Sequence, residues 1–389
     1  MTSERAAMKV LAVYQRENTS ISVIYKRLIG ELSRYADVDV LTDYEDDCGY
    51  GSDKINNVYI RPVSARYRGL DRRFLQWLAI QPMSERWSRK VAPTLPNDYD
   101  VVLSFVCNSQ LLPAIFGQYF SQQTGCKFAI YTVDAIPAPG GWNRKWNEYS
   151  HKLKVVKRYF SAADYVAASN KHMLAFQLTT FKHKTGLRSN VLLTPSPDTT
   201  YNYPISSEDI FLYTGNLYGL RNPDYVLTAF KHLLKVYPQA QFIFIGMKMK
   251  LKRIDKILTP QEKEHIHILK QTDDLAPLFS RAKVLVDIDA DLEKDPFLSS
   301  KIVTYLKVNR MIVCETGHDT PSREMFAGLN TIIQCDHNAD SLYNGMKRAL
   351  EMANEQQDYS ERKELIKEFS TEHVGAILWS DMQQLCYID

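Results

Sequence analysis

Short apolar runs alternate with amphipathic stretches along most of the chain, and this alternation sets the expected fold. In the first half, Lys9–Tyr14, Val38–Leu41, Asn57–Ile60, Asp100–Phe105, Lys127–Asp134, Asp164–Ala168 and Asn190–Leu193 read as strands. Helix spacing runs from Ile21 to Tyr35, from beyond Ser109 to about Gln122, and through a stretch containing His172, which reads as a surface or helix-start histidine. Thr194–Pro204 is polar, proline-rich and without periodicity, so it is the expected linker. Beyond it, strands are predicted over Ile210–Tyr213, Gln241–Ile245, His265–Leu269, Val284–Ile288, Met311–Cys314 and Thr331–Gln334. Helices are predicted over 274–281, 300–308 and 339–354. Such alternation predicts an α/β fold of parallel sheets covered on both faces. Two halves of this kind predict two Rossmann-like domains facing a cleft, residues 1–195 and 205–371. A last helix, 372–389, is expected to cross back to the first domain.

One stretch organises the second half. The run Ile210–Tyr213 leads into Gly215-Asn216-Leu217-Tyr218-Gly219-Leu220-Arg221, and Asn222-Pro223-Asp224 is a helix-start signal. Val226, Phe230, Leu233 and Tyr237 then recur at helix spacing. A strand, a glycine turn and a helix start bring backbone N–H groups and a positive dipole end to one place, which suits a phosphate. Arg221 would add a forked cation. Taken alone, the same stretch also reads as an ordinary strand-to-helix turn.

Composition narrows the function classes. The 389 residues are 45% hydrophobic and 24% charged. No run of eighteen apolar residues exists, so no spanning helix is expected. No signal-like apolar core follows Met1, and the expected location is the cytoplasm. The six cysteines form no C-x-x-C and are expected to be reduced, mostly buried thiols. The net charge of +3 hides an asymmetry: residues 1–200 hold 26 Lys+Arg against 18 Asp+Glu, while the remainder holds 22 against 27. An anionic partner is therefore expected at the first half. No helix-turn-helix, zinc or RNA-binding signature points to nucleic acid. Basic residues gather at 66–90 (Arg66, Arg68, Arg72, Arg73, Arg86, Arg89, Lys90), beside Leu70, Phe74, Trp77 and Leu78. They gather again at 142–158 (Arg144, Lys145, Lys152, Lys154, Lys157, Arg158) and in a turn with Lys248, Lys250, Lys252 and Arg253. The first two stretches suit peripheral membrane contact. The alternative is helices packed on the sheet with solvated basic faces. Asp134 ends a strand before Ala-Ile-Pro-Ala-Pro-Gly-Gly141, where α/β proteins place ligands, though it also fits a residue capping its own turn.

Taken in order, these signals resemble a known family. Thr214-Gly215-Asn216-Leu217 leading to Arg221 is similar to the first glycine turn in the C-terminal domain of the GT-B-fold retaining glycosyltransferases of the large group 1 family. Ile266–Leu269, Asp273-Asp274-Leu275, Leu278-Phe279 and Val284–Val286 resemble the segment that wraps the nucleotide base in that family. Asp295-Pro-Phe-Leu-Ser-Ser-Lys301-Ile-Val-Thr304-Tyr305 looks like its donor-binding loop and helix, and Phe369-Ser370 fits its C-terminal crossover. The resemblance implies a GT-B architecture and transfer of a sugar from a nucleotide-diphosphate donor to a glycan or polyprenyl-linked acceptor, with retention. No cofactor is implied beyond the nucleotide-sugar donor, and no metal is expected.

Within that resemblance, Arg221 and Lys301 are the expected catalytic cations, aided by the N–H groups of Gly215 and Asn216 and the amides of Ser299 and Ser300. Asp134 would orient or deprotonate the acceptor hydroxyl. The chain departs from the family where a glutamate pair, E-x7-E, is usual: Thr304 stands at the ribose-holding position and Pro296 at the other. Asp287-Ile-Asp289 has D-x-D spacing but closes a predicted buried strand. Two other classes stay open: a nucleotide-sugar epimerase on the same fold, and a non-catalytic sugar- or membrane-binding relative.

Overall fold

The computed structural model describes residues 7–15, 19–45, 49–78, 80–142, 148–196, 198–247, 254–272, 274–355 and 357–387. Cys48, Arg144, Lys145, Lys248, Lys250, Lys252, Arg253, Asp273 and the Trp77 side chain lie outside them. The chain divides into two compact units, Met1–Pro195 with Glu368–Asp389, and Ser196–Lys367.

The first unit holds β1 (Lys9–Val13), β2 (Asp37–Thr42), β3 (Ile55–Ile60), β4 (Val101–Val106), β5 (Lys127–Thr132), β6 (Tyr165–Ala168) and β7 (Arg188–Val191). They pair in parallel in the order β3-β2-β1-β4-β5-β6-β7. Because side chains alternate along a strand, Val10 and Ala12 enter one core and Leu11 and Val13 the other. Both faces are buried, which is why these strands read as continuous apolar runs. One face is covered by α1 (Thr19–Leu32) and the C-terminal helix, which adds Val374, Leu378, Met382 and Leu385.

The other face is covered by α2 (Ala65–Leu78), α3 (Pro82–Val91), α4 (Leu112–Thr124) and α5 (Glu148–Phe160). The basic stretch at 66–90 lies on two helices. Pro82 occupies the first turn of α3, where a missing N–H costs least. Asp71 of α2 caps that turn, accepting from Met83 N and Ser84 N at 2.7 Å each. A short helix, α6 (Lys171–Leu178), is capped by Asn170, whose side chain accepts from Met173 N.

The second unit holds β8 (Ile210–Thr214), β9 (Gln241–Ile245), β10 (Ile266–Leu269), β11 (Val284–Ile288), β12 (Met311–Glu315) and β13 (Ile332–Cys335). These are parallel in the order β10-β9-β8-β11-β12-β13. Phe211, Tyr213, Phe242 and Phe244 pack beneath α7 (Asp224–Leu233) and a helix at Ala339–Ala353. In both sheets the strand order reverses once, between β1 and β4 and between β8 and β11. Such a switch point opens a crevice at the carboxyl ends of the strands. The β8–β11 ladder stops at Leu212 and Leu285, while β8 and β9 stay paired to Thr214 and Ile245. The strands therefore part at the edge where ligands bind in this topology. Five cysteines are described and none is in a disulfide; Cys107, Cys126, Cys314 and Cys335 are buried. Among the described residues no helix is long and apolar enough to cross a membrane.

Candidate functional site

Past α8 (Ala276–Arg281), the gap between β8 and β11 is bridged from α9 (Ser300–Tyr305). Tyr305, wholly buried, accepts from Thr214 N at 2.8 Å and lies 2.9 Å from the Thr214 hydroxyl. It supplies the partner that β11 no longer offers. One turn earlier on α9, Lys301 sends its ammonium back over the end of β8, 5.2 Å from the centre of the Tyr213 ring. Gly215 makes room for it. A Cβ at Gly215 would lie 3.0 Å from Lys301 Cε, and φ is +106°, a region L-residues with side chains rarely adopt. The Gly215 N–H, expected to face a phosphate, instead donates to Ile245 O at 2.7 Å and continues the ladder. Its contribution is thus steric, a correction to its reading as a donor.

Below Lys301 lie two buried carboxyls at the end of β11. Asp287 Oδ1 accepts from Ser299 Oγ at 2.8 Å and is 3.8 Å from Lys301 Nζ. Asp289 Oδ2 accepts from Ser322 Oγ at 3.1 Å. Arg221 bridges to Ala290, and its guanidinium lies 5.3 Å from the centre of the Tyr218 ring. Burial and Arg221 push the Lys301 ammonium down to about 8, against the pull of Asp287 and Asp289. Burial and Asp287 push Asp289 up to about 7. Burial by itself would lower Arg221, but Tyr218, Asp289 and Asp287 outweigh it and raise it. Two cations that repel each other are thus held in place by two carboxyls behind them. An incoming anion would relieve that repulsion. Asp287, Asp289 and Cys314 bring ligand atoms within 4.8 Å of one another, as a metal would need. The charge of the two carboxyls is met by Arg221 and Lys301.

No protein-family profile matches the chain, and no curated protein does. Solved structures do match. TarM aligns over 97% of this chain and 99% of its own, with TM-score 0.69 and 8% identity. The E. coli trehalose-6-phosphate protein bound with UDP-2-fluoro glucose covers 97% and 99%, with TM-score 0.67 and 13% identity. HepE of Anabaena in complex with UDP-glucose covers 97% and 100%, with TM-score 0.65 and 11% identity. The chain has the GT-B fold. At these identities the likeness is one of fold alone.

Within the GT-B fold, the expected residues of the second unit fall around one strand end. Gly215, Lys301 and Ser299 touch, and Arg221 joins them through the charges of Asp287 and Asp289. Ser299 stands at the start of α9, but its hydroxyl serves Asp287 and does not cap the helix. Asn216 and Ser300 are exposed, and Thr304 is half-buried one turn beyond Lys301. The helix predicted over 300–308 ends at Tyr305. Asp134 belongs to the other unit. Its Oδ2 accepts from Asn108 N at 3.1 Å, its carbonyl accepts from Thr132 Oγ1, and Asn108 Oδ1 in turn accepts from Lys152 Nζ at 3.2 Å. It fixes the turn after β4. Sequence reasoning missed Tyr305, Ser322 and the balancing role of Asp287 and Asp289. The last was visible in principle, since residues two apart at a strand end share a face.

The two basic stretches of the first unit meet. Helix α5 packs on α2, and Arg158 pairs with Glu85 of α3 at 3.0 Å. Arg66, Arg72, Arg73, Arg86, Lys154 and Lys157 are exposed, and Leu78 is 62% exposed at the end of α2.

Proposed function

We propose that the chain is a glycosyltransferase that moves a sugar from a nucleoside-diphosphate donor to a hydroxyl of a glycan or lipid-linked acceptor, with retention. The observation that carries this reading is the pair Arg221 and Lys301, held over two buried carboxyls at the switch point of the second sheet. As the sugar departs, negative charge grows on the diphosphate, and preorganised cations stabilise it without reorganisation. Asn216, Ser299 and Ser300 add backbone donors, Thr304 contacts the ribose side, and Asp134 orients the acceptor hydroxyl. No metal is required in this scheme, because the two cations supply the charge. Neighbours solved with UDP-glucose and UDP-2-fluoro glucose favour a uridine donor. Retention rests on the motif order from Gly215 to Tyr305, and NMR of the product's anomeric proton reads it.

Thermal denaturation with a panel of uridine, guanosine and adenosine diphosphate sugars tests the reading, since a ligand of the folded state raises Tm. Absence of any stabilisation would sink it and favour a non-catalytic relative. The pH dependence follows from Lys301. The free ammonium loses its proton near 8, whereas the diphosphate-bound form needs it, so binding above that pH requires proton uptake. UDP affinity should therefore fall by up to about tenfold per unit as pH rises beyond 8. Protonation of Asp289 near 7 removes negative charge and strengthens binding further at lower pH. A flat calorimetric profile from pH 7 to 9 would remove Lys301 from the donor site.

The joined basic face of α2, α3 and α5 is proposed to meet anionic lipid. Vesicles containing phosphatidylglycerol should sediment the protein at low salt and release it at high salt. Equal recovery with neutral and anionic vesicles would end this part of the reading.

A further inference from the structure

Two strands along from Arg221, the same sheet edge carries a second polar pair that the scheme above does not use. Glu315 ends β12, in register with Ile288 of β11 and Cys335 of β13. Its carbonyl accepts from Asp289 N at 3.1 Å. His337, two residues past β13, places Nδ1 3.0 Å from Glu315 Oε1. Glu315 is 1% exposed. Among the described residues, neither Glu315 Oε2 nor His337 Nε2 has a hydrogen-bond partner, and both atoms are shut off from solvent. Buried polar atoms are nearly always satisfied, so an open acceptor beside an open imidazole nitrogen points to a missing ligand.

The setting is built rather than accidental. Arg323 ties the exits of both strands together, with Nη2 donating to Thr316 O at 2.9 Å and to Asp336 Oδ1 at 2.7 Å. Just past Glu315, residues 290–296 lie on 316–319: Asp319 N donates to Glu293 O at 2.8 Å and Asp295 N to Asp319 O at 3.2 Å. A Cβ at Gly317 would sit 2.1 Å from Leu292 O, so only glycine lets the two segments close this tightly. Burial pushes the Glu315 carboxyl up to about 7. Burial alone would lower His337, but the bond to Glu315 outweighs it and raises it. The pair therefore leaves one carboxyl oxygen and one imidazole nitrogen open, both groups that can hydrogen-bond a hydroxyl.

We infer that Glu315 and His337 form the sugar subsite of the donor, gripping adjacent ring hydroxyls once residues 290–296 shift aside. This rests on the glycosyltransferase reading. Neighbouring strands lie about 4.8 Å apart, so the ends of β12 and β13 are roughly 5–10 Å from the end of β11. That is the reach of a hexose beyond a diphosphate held by Arg221 and Lys301. It also supplies a carboxylate to the donor in a chain where Thr304 and Pro296 replace the usual pair.

The test compares matched ligands by calorimetry: UDP-glucose against UDP, and GDP-mannose against GDP. Glu315→Gln should weaken the sugar nucleotide bound by the wild type about tenfold or more, while the bare diphosphate keeps its affinity. His337→Gln, read the same way, covers the case in which Glu315→Gln does not fold. Equal weakening of both ligands, or no change in either, overturns the subsite and leaves the diphosphate site standing. A wild type that binds none of the four overturns the glycosyltransferase reading and this inference with it.

Discussion

Replacing Arg221 by alanine should lower turnover on the order of 10²-fold or more, the usual cost of losing one preorganised charge stabiliser. The expectation follows from position: the guanidinium rests on Tyr218, close to Asp287 and Asp289, with Lys301 as the other cation. A second readout separates this role from simple loss of packing. Arg221 is one of the causes that lower Lys301, so its removal should move the pH at which UDP binding weakens upward from about 8. A merely structural arginine would change Tm and leave that profile in place. Normal turnover with an unshifted profile would remove Arg221 from the site. Asp134→Asn, run in the same assay, decides the acceptor side: an unchanged rate leaves Asp134 as the group that fixes Asn108.

What could be read from the chain depended on how local its cause was. The strands of both sheets were legible because burial on both faces turns each into a short apolar run. The turn from Thr214 to Arg221 was legible through its glycines, and Lys301 through its place in a resembling motif. The use of the Gly215 N–H was not, because it is set by how far the β8–β9 ladder runs before β8 and β11 part. The Glu315–His337 pair was equally hidden, since its two members are brought together only by the register of β12 with β13. The break between α2 and α3 was local and could have been found. Gln81-Pro82 is a helix boundary by itself, and periodicity of the arginines and apolar residues across it obscured that signal.

The largest stability effect should come from Arg362, outside the candidate site. It is wholly buried, yet among the described residues no carboxylate hydrogen-bonds to it. Its guanidinium instead donates to Val308 O at 3.1 Å, Arg310 O at 2.9 Å, Thr331 O at 2.7 Å and Thr331 Oγ1 at 2.8 Å, and lies 5.0 Å from the centre of the Tyr359 ring. These carbonyls sit where β12 and β13 begin, so Arg362 closes the edge opposite the candidate site. Burial pushes it down to about 10, which still leaves it charged at neutral pH. Arg362→Leu would fill much of the volume but strand these acceptors, and a loss of about 3–5 kcal/mol is expected in chemical denaturation. Arg362→Lys, with one nitrogen where Arg has three, should recover only part of it. The exposed pair Arg281–Glu208, although forked and only 2.7 Å apart, should contribute less than about 1 kcal/mol by the same measurement, because solvent screens it. If the two sites proved equal, burial would not be what makes Arg362 matter.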